Sequence, residues 1–90
     1  MADNKAFLGS LFVSIPEVTG HVPLAYIFFV AKVLDVLASP AYPAVGTPTI
    51  RTIRILRAVP FTPYDLRACK KITDWVADNM DLISRLAAVL

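Results

Sequence analysis

Residue types that carry out covalent or acid–base chemistry are scarce in this chain. His21 is its one histidine, Cys69 its one cysteine and Glu17 its one glutamate. A structural zinc site needs about four ligands of this kind, and no serine stands beside a base in a recognisable nucleophile elbow. We therefore expect no catalytic residue, no cofactor site and no metal site, and we expect that the protein is not an enzyme.

Basic residues, in contrast, are concentrated in one stretch. Between positions 51 and 71 six of them stand against the single Asp65, and they are Arg51, Arg54, Arg57, Arg67, Lys70 and Lys71. Arginine guanidinium groups bind carboxylates and phosphates. Each basic residue held near an anionic bilayer contributes roughly 1 kcal/mol to the free energy of membrane binding. The stretch thus predicts contact with anionic lipid headgroups or with a partner protein. Recognised nucleic-acid-binding modules are absent from the sequence, so we expect no nucleic acid partner.

Composition limits how these residues can be arranged. The chain has 90 residues, of which 57% are hydrophobic and 18% charged, and its mean hydropathy is +0.62. A chain of this length buries only about 60% of its unfolded surface, so a single small domain over 1–90 must present apolar side chains to lipid or to a partner. The hydrophobicity excludes intrinsic disorder, and the single cysteine excludes a disulfide scaffold.

The spacing of the apolar residues predicts a mostly α-helical fold with four parts. We expect a short helix over 5–15, a hydrophobic helix over 22–39, an extended proline-rich spacer and arginine-rich arm over 40–61, and a long amphipathic helix over 63–90. Because Asn and Asp side chains compete for backbone hydrogen bonds, the last helix can break near 78–81.

The central hydrophobic helix is expected to be membrane-associated. Its eighteen residues reach about 27 Å, just short of the roughly 30 Å hydrocarbon core of a bilayer. Lys32 and Asp35 are neighbours on one helix face and form, with His21, a narrow polar stripe that we expect to meet a protein neighbour. The alternative is a buried core helix of a larger soluble assembly. Whether the segment spans the bilayer or lies on it stays open.

Arginine recurs at every third position from Arg51 to Arg57, each time directly after an isoleucine or a leucine. This spacing resembles that of voltage-sensor helices, but a sensor needs the rest of a four-helix unit. The β-branched residues of the stretch favour an extended arm that grips a partner. The alternative is a solvated arginine face whose isoleucines pack on a neighbour.

The C-terminal helix carries the clearest signals. Thr62-Pro63-Tyr64-Asp65 supplies a capping threonine, a proline for the first helical position and an acid three residues after the cap. A packing seam of apolar residues at helical spacing follows, consisting of Leu66, Cys69, Ile72, Trp75, Val76, Ile83, Leu86 and Leu90. We expect this seam to pack against the chain's own first helices or against a partner, with its cysteine acting as a small buried apolar residue.

Several short peptides occur in an order that is also found in one enzyme family. His-Val-Pro-Leu-Ala-Tyr at 21–26 opens an apolar helix, Pro-Thr-Ile at 48–50 precedes Arg-Ile at 54–55, and Tyr-Asp-Leu at 64–66 precedes Lys-Lys-Ile at 70–72. In this order they resemble the C-terminal segment of the 3β-hydroxysteroid dehydrogenase and sterol-4α-carboxylate dehydrogenase branch of the extended short-chain dehydrogenases. That family continues with a Gly-Tyr-x-Pro turn, where this chain has Thr-Asp-Trp-Val at 73–76.

The catalytic half of that family has no counterpart in this sequence. The three scattered glycines Gly9, Gly20 and Gly46 cannot form its glycine-rich phosphate-binding turn, and no tyrosine is followed four residues later by a lysine. No catalytic residue carries over. The resemblance therefore implies a detached module, on the membrane or substrate side of the family's fold, retained for its membrane helix and packing surfaces.

The function expected from the sequence is that of a non-catalytic accessory or structural subunit of a membrane-bound multiprotein complex. Small, apolar and mildly basic chains of this type suggest an organellar energy-transducing complex, with the mitochondrial inner membrane as the candidate location. Its partners would be the other subunits of that complex and anionic lipid headgroups. The alternatives are the dehydrogenase-related module and a soluble helical interaction module.

Overall fold

A computed structural model describes residues 11–15, 18, 20–38, 50–60 and 62–90, and every structural statement below refers to these residues. They form two short strands, β1 (Phe12–Ser14) and β2 (His21–Pro23), and four helices, α1 (Leu24–Leu37), α2 (Ile50–Ala58), α3 (Leu66–Asp78) and α4 (Met80–Val89). The expectation of a mostly α-helical fold is confirmed.

Strands β1 and β2 form an antiparallel pair in which Val13 lies opposite Val22. Gly20, directly before β2, has φ +86°, a left-handed conformation that glycine adopts without a Cβ clash. The helix predicted over 5–15 is therefore wrong for residues 12–14, and residues 5–10 lie outside the described part of the chain. The segment is extended because it pairs with β2, and its side chains then alternate between exposed and partly covered positions. Local spacing in the sequence does not reveal this partner strand.

Helix α1 confirms an apolar helix within 22–39, with shorter bounds. Residues 22 and 23 belong to β2, and Pro23 is the N-cap of α1, with φ −57° and ψ 137°. At 14 residues α1 is about 21 Å long. In the described residues, no helix has both the length and the apolar character needed to cross a membrane.

Helix α2 occupies residues for which the sequence predicted an extended arm. The prediction for 40–61 is thus wrong over 50–58, while residues 40–49 and 61 lie outside the described ranges. Thr52 and Leu56, four residues apart, are completely buried on one side of α2, and the arginines project from the other. Burial of this face outweighs the helix propensity of the β-branched residues, which differs from that of alanine by at most about 0.7 kcal/mol each.

Helices α3 and α4 confirm the amphipathic C-terminal segment and its break. The break falls at Asn79, whose side-chain amide donates to the carbonyl oxygen of Trp75 at 2.7 Å. The start differs from the prediction, because α3 begins at Leu66 with Asp65 as its cap. The Asp65 carboxylate accepts a hydrogen bond from the amide of Ala68 at 2.7 Å.

The packing seam forms much of the chain's own core. Cys69, Ile72, Val76 and Ile83 are buried together with α1 and α2 residues, and Trp75, Leu86 and Leu90 pack against that core in half-buried positions. Leu66 is the exception. It is 55% exposed in the first turn of α3, so it does not take part in the chain's own core, and its contact with a partner stays a prediction.

Replacing the capping carboxylate should destabilise the fold by a defined amount. We expect Asp65→Ala to lower the free energy of unfolding by about 1 kcal/mol, because the Ala68 amide loses its acceptor, and Asp65→Asn to have little effect. Urea unfolding followed by circular dichroism measures both. Asp78→Ala, an exposed carboxylate removed at the other end of α3, is the control and should cost nothing. Equal losses for the two alanine variants would contradict the cap assignment.

Candidate functional site

Two surface grooves lie on either side of α2. The α2–α3 groove has a volume of about 450 Å³ and is lined by Ile50, Ile53, Arg54, Leu66, Arg67 and Lys70. The α1–α2 groove has a volume of about 230 Å³ and is lined by Lys32, Val33, Val36, Leu37, Arg51 and Ile55. We refer to the two grooves with their lining residues as the α2 face.

Apolar side chains are unusually exposed on the α2 face. Ile50 is 71% exposed and Leu66 55% in the α2–α3 groove, and Val36 and Ile55 are exposed in the α1–α2 groove. The other large apolar side chains with comparable exposure in the described residues are Phe12, Leu82 and Val89. Exposed apolar area grouped in this way is typical of a contact surface rather than of scattered surface residues.

Five basic side chains share the α2 face, and among the described residues no acidic side chain lines either groove. One competing carboxylate is that of Asp74, one turn along α3, whose Oδ2 lies 2.8 Å from Lys70 Nζ. Both partners are exposed, so solvent and salt reduce this pair to less than about 1 kcal/mol. The α2 face is therefore a positively charged surface that also exposes apolar side chains.

The structure brings together four of the six basic residues that the sequence predicted as contacts. Arg54, Arg67 and Lys70 line the α2–α3 groove, and Arg51 lines the α1–α2 groove. The remaining two, Arg57 and Lys71, line neither groove, and Lys71 is half-buried on α3.

Arg57 has a structural contact instead. Its Nη1 donates a hydrogen bond to the carbonyl oxygen of Tyr64 at 2.6 Å. This bond ties the last turn of α2 to the segment directly before α3. Arg57 therefore helps to fix the angle at which α2 and α3 form their groove.

The predicted polar stripe of the central helix is only partly preserved. Lys32 and Asp35 are exposed on α1, but His21 belongs to β2 and is not part of that helix. The imidazole of His21 instead lies 6.5 Å from the ring of Phe12 across the strand pair, measured between ring centroids. Lys32 of α1 and Arg51 of α2 line the same α1–α2 groove. Spacing along the sequence did not indicate that these two cations would lie near each other.

A buried polar cluster joins α1, α3 and the connection between α2 and α3, and the sequence pattern does not predict it. The hydroxyl of Tyr26 on α1 accepts a hydrogen bond from Thr62 Oγ1 at 3.3 Å and lies 3.8 Å from Cys69 Sγ on α3. The thiol in turn lies 3.7 Å from the carbonyl oxygen of Tyr64, whose ring packs 5.4 Å from that of Tyr26. Tyr26 lies 36 residues from Thr62 and 43 from Cys69 in the sequence, so no local pattern could have signalled its contacts with them.

Burial controls the protonation of the two tyrosines. Loss of hydration raises the pKa of Tyr26 well above its ordinary value, an effect that the hydrogen bond from Thr62 partly offsets. Burial also raises the pKa of Tyr64. Both phenols therefore stay protonated to higher pH than an ordinary tyrosine, and the Tyr64 hydroxyl donates a hydrogen bond to the carbonyl oxygen of His21 at 3.4 Å. Beside them lies an apolar cavity of about 340 Å³ lined by Pro23, Ala25, Tyr26, Pro63 and Tyr64.

Within the described ranges, no three His, Cys, Asp or Glu side chains come close enough to hold a metal ion. No protein-family model, curated protein or solved structure matches this chain. The resemblance to the C-terminal segment of the dehydrogenases stays a prediction from sequence.

Alkaline pH should destabilise the fold through Tyr26. Above about pH 10 the unfolded chain loses the phenolic proton and the folded chain keeps it, so the free energy of unfolding falls as pH rises, by up to about 1.4 kcal/mol per pH unit. Urea unfolding between pH 8 and pH 11 measures this slope. We expect Tyr26→Phe to make the slope shallower and Tyr64→Phe to change it less, because Tyr64 is more exposed. An unchanged slope in Tyr26→Phe would refute this assignment.

Proposed function

We propose that this chain is a non-catalytic accessory subunit of a membrane-bound multiprotein complex and that its α2 face contacts anionic lipid headgroups. The observation that carries the proposal is the combination, on one face, of five basic side chains with exposed apolar residues and no lining acid in the described part of the chain. Headgroup regions of anionic bilayers bind surfaces of this kind through charge attraction and shallow apolar insertion.

The expected strength of this contact is moderate. Five basic residues at roughly 1 kcal/mol each give about 5 kcal/mol, with the share of Lys70 reduced by its pairing with Asp74. Because about 4 kcal/mol corresponds to millimolar and about 8 kcal/mol to micromolar affinity, the contact is reversible. It suits a peripheral subunit that a larger complex also holds in place.

A second surface is available for the other subunits. Leu82 and Val89 are seven residues apart on α4, hence on one side of that helix, and they are 42% and 82% exposed. Together with half-buried Leu86 they provide an apolar strip distinct from the residues that line the grooves of the α2 face. The location proposed for the complex is the mitochondrial inner membrane, on the basis of the chain's small size, apolar composition and mild positive charge.

One observation favours a second candidate function, a helical interaction module that acts without a membrane. Tyr26, Ile27 and Val30 of α1 are buried within the chain's own core, so this side of the most hydrophobic segment is covered by protein rather than by lipid. In this case the α2 face would bind an acidic protein. The dehydrogenase-related module remains the alternative that the sequence resemblance suggests.

Vesicle flotation tests the headgroup contact. We expect the chain to float with phosphatidylcholine vesicles that contain phosphatidylglycerol, to stay behind with phosphatidylcholine alone, and to dissociate in high salt. Replacing Arg51, Arg54 and Arg67 together by alanine should lower the partition coefficient roughly 100-fold, since about 3 kcal/mol is removed. Arg85→Ala, which removes a charge on α4 away from the lining residues of both grooves, is the control. Equal flotation of the triple variant and the unchanged chain would refute the assignment of the α2 face.

Native-gel mass spectrometry of gently solubilised membranes tests the subunit role. Migration of the 9.8 kDa chain with a large complex would support the proposal and identify its partners. Recovery of the chain as a free monomer outside the membrane fraction would overturn it in favour of the interaction module.

A further inference from the structure

The α2–α3 groove differs from the α1–α2 groove in a way that suggests a single bound molecule. Its volume of about 450 Å³ falls within the range of roughly 300–1,000 Å³ that is usual for small-molecule sites, whereas the other groove, at about 230 Å³, falls below it. Three cations and three apolar side chains line this one groove, so both kinds of contact are available to one ligand.

The charges converge from two helices. Arg54 comes from α2, and Arg67 and Lys70, which are three residues apart and so lie on one side of α3, come from the other wall. Two guanidinium forks and an ammonium suit the oxygens of a phosphate, because arginine binds phosphate bidentately and lysine acts as a point charge. The groove thus has the donor set for one phosphate group.

The apolar side chains lie within one turn of these cations. Ile50 precedes Arg54 by four residues on α2, and Leu66 precedes Lys70 by four residues on α3, while Ile53 completes the lining. A ligand whose phosphate meets the cations therefore has exposed apolar side chains within reach of its remaining atoms. A phospholipid joins a phosphate to acyl chains in one molecule and complements both parts.

We propose that the α2–α3 groove binds one anionic phospholipid molecule, an inference that rests on the proposed contact with anionic headgroups. The phosphate of this lipid contacts Arg54, Arg67 and Lys70. The first part of its acyl chains contacts Ile50, Ile53 and Leu66. Asp74 is a competitor in this site. Its carboxylate holds Lys70 at 2.8 Å, so the phosphate must displace it or share the ammonium with it.

NMR titration of the isotope-labelled chain with dihexanoyl phosphatidylglycerol, kept below its micelle concentration, tests the site. We expect saturable 1:1 chemical-shift changes centred on the groove residues. Dihexanoyl phosphatidylcholine, with the same chains and no net charge, should give no saturable change. Glycerol 3-phosphate, which has the phosphate without the chains, should bind at least roughly tenfold more weakly, since apolar contacts of about 1.4 kcal/mol are lost.

Matched variants assign the contacts. Arg54→Ala should raise the dissociation constant for dihexanoyl phosphatidylglycerol roughly fivefold to tenfold, and Leu66→Ala should weaken lipid binding but leave glycerol 3-phosphate unaffected. Asp74→Asn should tighten lipid binding several-fold because Lys70 is released from its partner. Asp78→Asn, the same loss of charge on the same helix, is the control and should change the constant by less than about twofold.

The outcomes separate this site from the proposed function. Binding to anionic vesicles without saturable binding of the monomeric lipid would overturn the groove site and leave the headgroup contact standing. Loss of both would overturn both. Equal affinity for glycerol 3-phosphate would make the groove a phosphate site, tighter binding of an oligoglutamate peptide would make it an acidic-peptide site, and shifts that follow protein concentration without lipid would assign it to a second copy. Each of these three results overturns the lipid assignment.

Discussion

Tyr26, Ile27 and Val30 of α1 are buried against a core that includes Cys69, Ile72 and Val76 of α3, and the positions of the other elements follow from this contact. Full burial of each large aliphatic side chain contributes about 1.5–3 kcal/mol relative to an exposed position. Helix α1, the most apolar segment of the chain, thereby contributes its buried side to the chain's own core. Strand β2 continues directly into α1, and α2 packs against α3 with Leu56 and Thr52 buried.

This use of α1 determines what the surface can do. Because α2 contributes only one buried side to the core, its arginines stay in solvent on the opposite side, next to cations from α1 and α3. Four of the exposed large apolar residues, Val36, Ile50, Ile55 and Leu66, line the grooves beside the same helix. Charge and exposed apolar area therefore coincide on the α2 face as a consequence of packing, and this coincidence is the basis of both proposals about lipid.

The hydrogen-bonded cluster of Tyr26, Thr62 and Cys69 stabilises the same contact in a second way. A buried hydroxyl without a partner costs about 1–3 kcal/mol, and in the described residues every buried side-chain nitrogen or oxygen has a partner. Thr62 lies in the connection between α2 and α3, so its bond to Tyr26 anchors that connection on α1. Arg57 anchors it from the other side through the carbonyl oxygen of Tyr64. The two hydrogen bonds together fix the connection between α2 and α3, the two helices that form the walls of the α2–α3 groove.

Features that depend on local spacing could be predicted from the amino-acid sequence. The apolar pattern predicted the helix that became α1 and the buried side of α3 and α4, and the Asn and Asp residues near 78–81 predicted the break at Asn79. The concentration of basic residues between positions 51 and 71 is visible in the sequence itself. Features that depend on residues distant in the sequence arise only when the helices and strands pack together. Residues 12–14 form a strand because Val13 pairs with Val22 of β2. Residues 50–58 form a helix because Thr52 and Leu56 are buried on one side of it. Leu66, at the start of α3, is exposed at the surface. Arg54 came to share a groove with Arg67 and Lys70 because α2 and α3 pack together, an arrangement that neither helix specifies alone.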